Sequence, residues 1–203
     1  MSIANQLNEI LKEYNFGNKN IAYTKFKKFF LKNKENTKLR YNLAVMQSEL
    51  NLISEAKKNY KFLIINYAHL KSKINLYNIY LKEENFLKAL SLINEVLKED
   101  PSNNLTKIDK AFVLYKLNQF KDSIEECKLI LSIKNYAQAL NIWGLCCLAL
   151  KNYEEANSLF LKALKLDKDN IIYLNSIGRL KHEIRESKLA EKYFLKALSL
   201  NPK

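Results

Sequence analysis

The sequence predicts an all-α protein, an α-solenoid of six helical hairpins, from three observations. A step of about 34 residues divides the chain into six blocks with almost nothing left over: 3–36, 37–69, 70–103, 104–136, 137–170 and 171–203. A small residue lies about twenty residues into each block: Ala22, Ala56, Ala89, Ser123, Ala156 and Ala190. A larger apolar residue follows four positions later, at the spacing of one helix face: Phe26, Tyr60, Ile93, Cys127, Phe160 and Phe194.

The second half of every block is therefore predicted to be an amphipathic helix. A further apolar residue lies seven positions after each small one: Phe29, Leu63, Val96, Ile130, Ala163 and Ala197. Residues at i, i+4 and i+7 share one face of a helix, and we expect that face to be buried.

The first half of each block also has helical spacing. In the fifth block the residues at i, i+3, i+4 and i+7 are Leu140, Trp143, Gly144 and Cys147. Polar stretches such as 82–85 and 150–153 separate the two halves, and Pro101 and Pro202 lie where a helix must stop. We expect Gly144 and Gly178 to face the small residues of the second helices, so that the backbones approach closely.

Two blocks carry the most specific pattern. The fifth contains Trp143, Gly144, Tyr153, Ala156, Phe160 and Ala163, and the sixth contains Gly178, Ala190, Phe194, Ala197 and Pro202. This pattern resembles the tetratricopeptide repeat (TPR), although Lys168 replaces a proline, and Ile10 and Tyr77 replace a glycine or alanine. The resemblance implies a right-handed α-solenoid, one domain over residues 1–203, that binds proteins or peptides.

Composition limits the other classes of protein. The chain has 3 glycines and 2 prolines, too few for a flexible linker, and no basic leader followed by an apolar segment at its start. We expect a cytoplasmic protein without a membrane span, whose three cysteines are core residues because none has a CxxC spacing.

The net charge of +13 raises the question of a nucleic-acid partner. Only Arg40, Arg179 and Arg185 are arginines, whereas recognition of bases and phosphates favours arginine. The densest basic stretch, 25–34, has its phenylalanines on the face that the repeat buries. We therefore expect a solvated basic face and not a nucleic-acid site, although a lysine-rich scaffold for RNA remains a third alternative.

No motif of an enzyme, metal site or cofactor site was found. Neither His69 nor His182 has a partner at metal-ligand spacing, and no glycine-rich phosphate loop or nucleophile elbow occurs. We expect a protein that is not an enzyme and needs no cofactor, and we expect Trp143 to be a packing residue.

The candidate binding residues lie on the first helices. The resemblance implies that an extended peptide is held by side chains two residues before the glycine or alanine position: Asn8, Asn42, Asn75, Asp109, Ile142 and Ser176. An asparagine amide both donates and accepts, as binding of a peptide backbone requires. Asn78 is the only match to the family's carboxylate clamp, and Lys38, Lys71 and Lys82 favour an acidic peptide.

Two further expectations concern the whole protein. The alternative to a binding scaffold is the N-terminal recognition arm of a larger enzyme, of the glycosyl- or sulfotransferase type. The last block lacks a polar helix to cover it, which predicts either a truncated chain or self-association through the face with Tyr193, Leu195 and Leu198.

Overall fold

The computed structural model describes residues 3–200, which form twelve α-helices and no strand within that range. Their bounds are α1 Ile3–Phe16, α2 Lys19–Leu31, α3 Thr37–Glu49, α4 Ile53–Tyr67, α5 Leu70–Lys82, α6 Phe86–Glu99, α7 Asn104–Lys116, α8 Phe120–Ile133, α9 Ala137–Ala149, α10 Tyr153–Leu166, α11 Ile171–Glu183 and α12 Ser187–Leu200. Every predicted block contains two helices, so the all-α class of helical repeats is confirmed.

The helices form two compact units, one with α1 to α5 and the other with α6 to α12. In the first unit α1 packs on α2 and α3 on α4, while α3 also contacts α2 and α5 contacts α4. In the second unit α7 to α12 pack pairwise in the same way, and the first helices α7, α9 and α11 also contact one another in sequence. The single domain over residues 1–203 stays a prediction.

Each unit has cores made of the predicted columns. One cluster of the first unit places Phe26 and Phe30 of α2 against Leu39, Leu43 and Met46 of α3. A corresponding cluster of the second unit contains Leu159, Phe160 and Ala163 of α10 together with Tyr173, Ile177 and Leu180 of α11. The second helix of one repeat is thus covered by the first helix of the next.

The turn inside each pair is the same from the second block onward. One residue has a left-handed backbone, with φ between 54° and 63°, in five of the blocks: Asn51, Glu84, Asn118, Lys151 and Arg185. The following N–H donates to a carbonyl five residues earlier, as from Asn152 to Cys147, which closes the helix. Glycine is the usual residue here, so its absence hid these turns from the sequence analysis.

Polar residues cap the N-terminal ends of several helices, and a proline follows the C-terminal end of α6. The side chains of Asn18, Asn36, His69, Asn103 and Asn170 accept hydrogen bonds from N–H groups in the first turns. Helix α6 ends at Glu99, two residues before Pro101, as predicted. Pro202 lies outside the described residues.

Gly144 and Gly178 lie against phenylalanine rings of the second helices, a contact that the expectation from sequence did not include. A Cβ added to Gly144 would lie 2.6 Å from the Phe160 ring, and one added to Gly178 would lie 2.5 Å from the Phe194 ring. The glycines are needed because each ring occupies the space beside the first helix, where a side chain would otherwise project.

The three cysteines are core residues, as predicted, and all are buried thiols without a disulfide. Burial raises the pKa of Cys127 and Cys146, and burial together with Glu155 raises the pKa of Cys147 to about 12. Among the residues that the structure describes, no three His, Cys, Asp or Glu side chains are grouped to hold a metal ion. None of the described helices is long and apolar enough to cross a membrane.

The close contact between each glycine and its phenylalanine ring predicts different effects of alanine at Gly144 and at Gly178. We expect Gly144→Ala to lower the free energy of unfolding by up to about 2 kcal/mol, because overpacking of about 1–3 kcal/mol opposes the roughly 1 kcal/mol that alanine gains over glycine in a helix. Gly178→Ala should be nearly neutral, since Phe194 is 37% exposed and can move whereas Phe160 is 0% exposed. Urea unfolding followed by circular dichroism measures both, and equal effects would contradict this account.

Burial of the three cysteine thiols predicts that they react slowly in the native protein. At pH 8 the native protein should react with Ellman's reagent far more slowly than free cysteine, because thiolates attack and raised pKa values suppress them. In urea all three thiols should react promptly. A native protein with one fast thiol would contradict the burial of that cysteine.

Candidate peptide-binding surface

The predicted binding residues lie on first helices, but their surroundings differ. Asn8 and Asn78 are exposed, while Asn42, Asn75 and Asp109 are half-buried. The side chains of Asn8, Asn42 and Asn78 make no hydrogen bond to the residues that the structure describes. These three amides have the free donor and acceptor that a peptide backbone needs.

Asn75 is already engaged inside the first unit. Its Nδ2 donates to the Tyr41 hydroxyl and to the Tyr60 hydroxyl, both at 3.1 Å. The Tyr60 hydroxyl also accepts from Ser48 Oγ at 3.4 Å, and burial raises the pKa of Tyr60. Because both amide hydrogens are used, Asn75 positions two tyrosines and has only its carbonyl oxygen left to offer a peptide.

Ser176 does not face a groove, contrary to the expectation from sequence. The residue is 4% exposed, and its hydroxyl donates to the carbonyl of Ile172 one turn earlier, at 3.0 Å. Ile142, in the same column, is also buried. Since a small hydroxyl reaches its own helix backbone easily, Ser176 is satisfied internally and leaves the candidate surface.

A cavity of about 180 Å³ lies between α3, α4 and α5 of the first unit, and we call it the α3–α5 groove. It is lined by Val45, Ser48, Glu49, Tyr60, Asn75, Asn78, Ile79 and Lys82. The groove brings together three predicted residues, Asn75, Asn78 and Lys82. Asn8, Asn42, Lys38 and Lys71 do not line it.

The charges of the first unit favour an acidic ligand. Lys38, Lys71 and Lys82 are exposed and have no ion-pair partner among the described residues. Glu49, the one acidic residue lining the groove, accepts from Lys19 Nζ at 3.2 Å and from the Tyr14 hydroxyl at 3.0 Å. Its charge is thus partly neutralised, which leaves Lys82 as the unbalanced charge of the groove.

The second unit has a different surface, which the sequence analysis missed. A cavity of about 260 Å³ is lined by Tyr115, Leu145, Leu148, Ala149, Lys151, Tyr153, Arg179 and Glu183. Its apolar lining comes from Leu145, Leu148 and Ala149 of α9, and Lys151, Arg179 and Glu183 add charged groups. The signal in the sequence was Leu145, at the position where α5 has Asn78.

Several other side chains on the first helices, or in contact with them, stabilise the fold. Lys110 forms an ion pair with Glu126 of the next helix, and the Ser123 hydroxyl donates to the carbonyl of Ala111 at 2.7 Å. Trp143 is half-buried beneath Lys128, whose Nζ lies 5.2 Å from the ring centroid. The packing role predicted for Trp143 agrees with its place beside two core clusters.

The hydrogen bonds from Asn75 to Tyr41 and Tyr60 predict that replacing Asn75 lowers stability, whereas replacing Asn42 does not. Asn75→Ala should lower the free energy of unfolding by about 1–3 kcal/mol, because it removes the donor to a buried hydroxyl. Asn42→Ala, which removes no internal hydrogen bond, is the control and should change it by less than about 0.5 kcal/mol. Chemical denaturation compares the two, and equal stability of both variants would contradict the role of Asn75.

Comparisons with known proteins place the chain in a family. Models of the tetratricopeptide repeat match residues 137–170 and residues 172–203. A stretch of 132 residues is 30% identical to a DnaJ homolog subfamily C member 7 homolog of Dictyostelium discoideum, covering 63% of this chain and 23% of that protein. Another stretch of 111 residues is 27% identical to RNA polymerase II-associated protein 3 of Xenopus laevis, covering 54% of this chain and 17% of that protein. The chain thus spans less than a quarter of the length of these curated relatives.

Solved structures show the same fold at low sequence identity. A tetratricopeptide repeat protein from Parabacteroides merdae superposes with a TM-score of 0.74 at 16% identity, covering 98% of this chain and 93% of that one. YrrB, a TPR protein with an unusual peptide-binding site, superposes with a TM-score of 0.60 at 22% identity, covering 88% and 93%. The repeat models, the twelve helices and the shared packing columns agree, and this chain belongs to the tetratricopeptide repeat family.

Proposed function

We propose that this chain is a protein-binding scaffold module whose first helices hold an extended, net acidic peptide. The observation that carries the proposal is the set of free amides and unpaired lysines on α1, α3 and α5: Asn8, Asn42, Asn78, Lys38, Lys71 and Lys82. Family membership supports a protein partner. The net charge of +13 supports an acidic one.

Within this proposal the α3–α5 groove contributes three interactions. Asn78 donates to and accepts from a backbone amide, Lys82 attracts a carboxylate, and Asn75 accepts through its carbonyl oxygen while its amide holds Tyr41 and Tyr60. Asp109 lies on α7 of the second unit and is not part of this surface. The module itself catalyses no reaction and works in the cytoplasm.

The recognition arm of a larger protein is the second candidate. It is favoured by the length of the curated relatives, of which this chain covers less than a quarter. A catalytic domain elsewhere in the same polypeptide would leave the proposed surface and its peptide unchanged. Sequencing the complete open reading frame decides between the two.

The binding surface is tested with a library of random linear peptides displayed on phage. We expect the wild-type protein to select acidic peptides, and Asn42→Ala with Asn78→Ala to weaken the selected peptide by about tenfold or more. Each lost hydrogen bond accounts for roughly 0.5–1.5 kcal/mol. Because neither side chain bonds internally, the melting temperature should not change.

Asn94→Ala is the matched control, since Asn94 is exposed on the second helix α6. It should bind the selected peptide like the wild type. Equal binding by the double variant and the wild type would contradict the proposed surface. Tighter binding of single-stranded RNA than of any peptide, lost at high salt, would favour the RNA-associated scaffold instead.

A further inference from the structure

The cavity of about 260 Å³ on the second unit combines apolar and charged side chains, and none of the predicted binding residues lines it. We call it the α9–α11 pocket, and its apolar and charged residues are Leu145, Leu148, Ala149, Lys151, Arg179 and Glu183. Tyr115 of α7 and Tyr153 of α10 complete its lining. All of them belong to the second compact unit, so the pocket is built within one part of the fold.

Ala149 makes room for this pocket. It is the last residue of α9, and the other first helices from the second block onward end in longer, charged residues: Glu49, Lys82, Lys116 and Glu183. Two of these, Glu49 and Lys82, line the α3–α5 groove, which measures about 180 Å³. In the α9–α11 pocket one of the two matching positions holds only a methyl group, and the space measures about 260 Å³.

The apolar part of the pocket is held in place by the core. Leu145 and Leu148 are half-buried, pack against the core cluster that contains Phe160, and also line the cavity. Because the core fixes these side chains, little freedom is lost when a ligand binds them. An apolar side chain of a ligand would remove their remaining exposed carbon atoms from water, which favours binding.

The charged part of the pocket favours a carboxylate. Lys151 and Arg179 are exposed, and neither forms an ion pair with a residue that the structure describes. Glu183 has no ion-pair partner in that range either, so the lining has two positive charges and one negative. The hydroxyls of Tyr115 and Tyr153 make no hydrogen bond to a described residue, and a hydroxyl can donate to a carboxylate.

We propose that the α9–α11 pocket binds a linear peptide segment in which one large apolar side chain lies between acidic residues. The apolar side chain lies against Leu145, Leu148 and Ala149. The flanking carboxylates pair with Arg179 and Lys151, and the arginine can hold a carboxylate through two parallel hydrogen bonds. A segment with acidic residues alone would leave the leucines exposed to water, and an apolar segment alone would leave the cations unpaired.

This second site goes beyond the surface proposed for the first unit. That surface uses the amides of Asn42 and Asn78, whereas the α9–α11 pocket uses leucines and an arginine. The two sites lie in different compact units, so a variant at one leaves the other intact. A partner that uses the second site must therefore carry an apolar residue within its acidic segment.

Chemical shifts of isotope-labelled full chain test the proposal, with acetyl-Asp-Glu-Leu-Glu-Asp-amide added to millimolar concentration. We expect the methyl signals of Leu145 and Leu148 to shift. The matched peptide with serine in place of leucine should bind about tenfold more weakly or less, because it buries no apolar side chain. The peptide with amides in place of its carboxylates should bind at least about twofold more weakly, and this difference should shrink at high salt.

Ala149→Lys fills the pocket with the residue in which α5 and α7 end. The position is exposed, and lysine is favourable at the C-terminal end of a helix, so the melting temperature should not fall. The variant should bind the leucine peptide about threefold more weakly or less, because loss of the leucine contact outweighs the added positive charge.

Charge variants separate the two parts of the pocket. Arg179→Gln should weaken the leucine peptide by about two- to fivefold. Lys162→Gln is the matched control, since it removes an exposed positive charge from α10 outside the pocket, and it should bind like the wild type.

Three results would overturn the proposal. They are equal binding of the leucine and serine peptides, wild-type binding by Ala149→Lys, and no shift of the Leu145 and Leu148 methyl signals. The same spectra report on the first unit through residues 37–49 and 70–82. Shifts confined to those residues would support the function proposed for the first unit and overturn the second site alone.

Discussion

The fit between an apolar side chain of one helix and a small residue of its partner is the constraint on which the structure depends. Phe160 is fully buried because Gly144 leaves room for its ring, and in the fourth block a smaller pair, Ala111 with Cys127, lies at the same two positions. Because helix pairs pack at close distance with little void, each such pair fixes where its two helices can lie. The pair recurs in register in four of the six blocks, the first and third having Ile10 and Tyr77 in place of the small residue, and this repetition determines which faces of the helices are buried.

The same constraint determines which side chains are left for binding. Outside the core columns, the first helices carry side chains of different chemistry in the two units. The first unit has Asn78 and Lys82 there, and the second has Leu145 and Leu148. Each unit therefore offers a surface of its own chemistry on a common scaffold, as expected when function resides in sites on a shared fold.

Much of the fold could be predicted from the sequence because helical periodicity is local and recurs six times. The five left-handed turns could not, since Glu84, Lys151 and Arg185 occupy positions where glycine is usual. The internal hydrogen bonds of Asn75 and Ser176 could not be predicted either, because a column of polar residues does not show which side chains have partners inside the protein. Likewise, spacing indicated that Gly144 allows close approach but not that an aromatic ring, from four residues beyond Ala156, fills the space.

A partner that binds along the first helices of the first unit, as proposed, changes the surroundings of their backbone amides. Chemical shifts of those amides in isotope-labelled protein, recorded as a selected acidic peptide is added, test this binding most directly. We expect the largest shifts within residues 37–49 and 70–82, with saturation at a single stoichiometry. Shifts confined to the second helices 19–31 and 53–67, with none on the first helices, would contradict it.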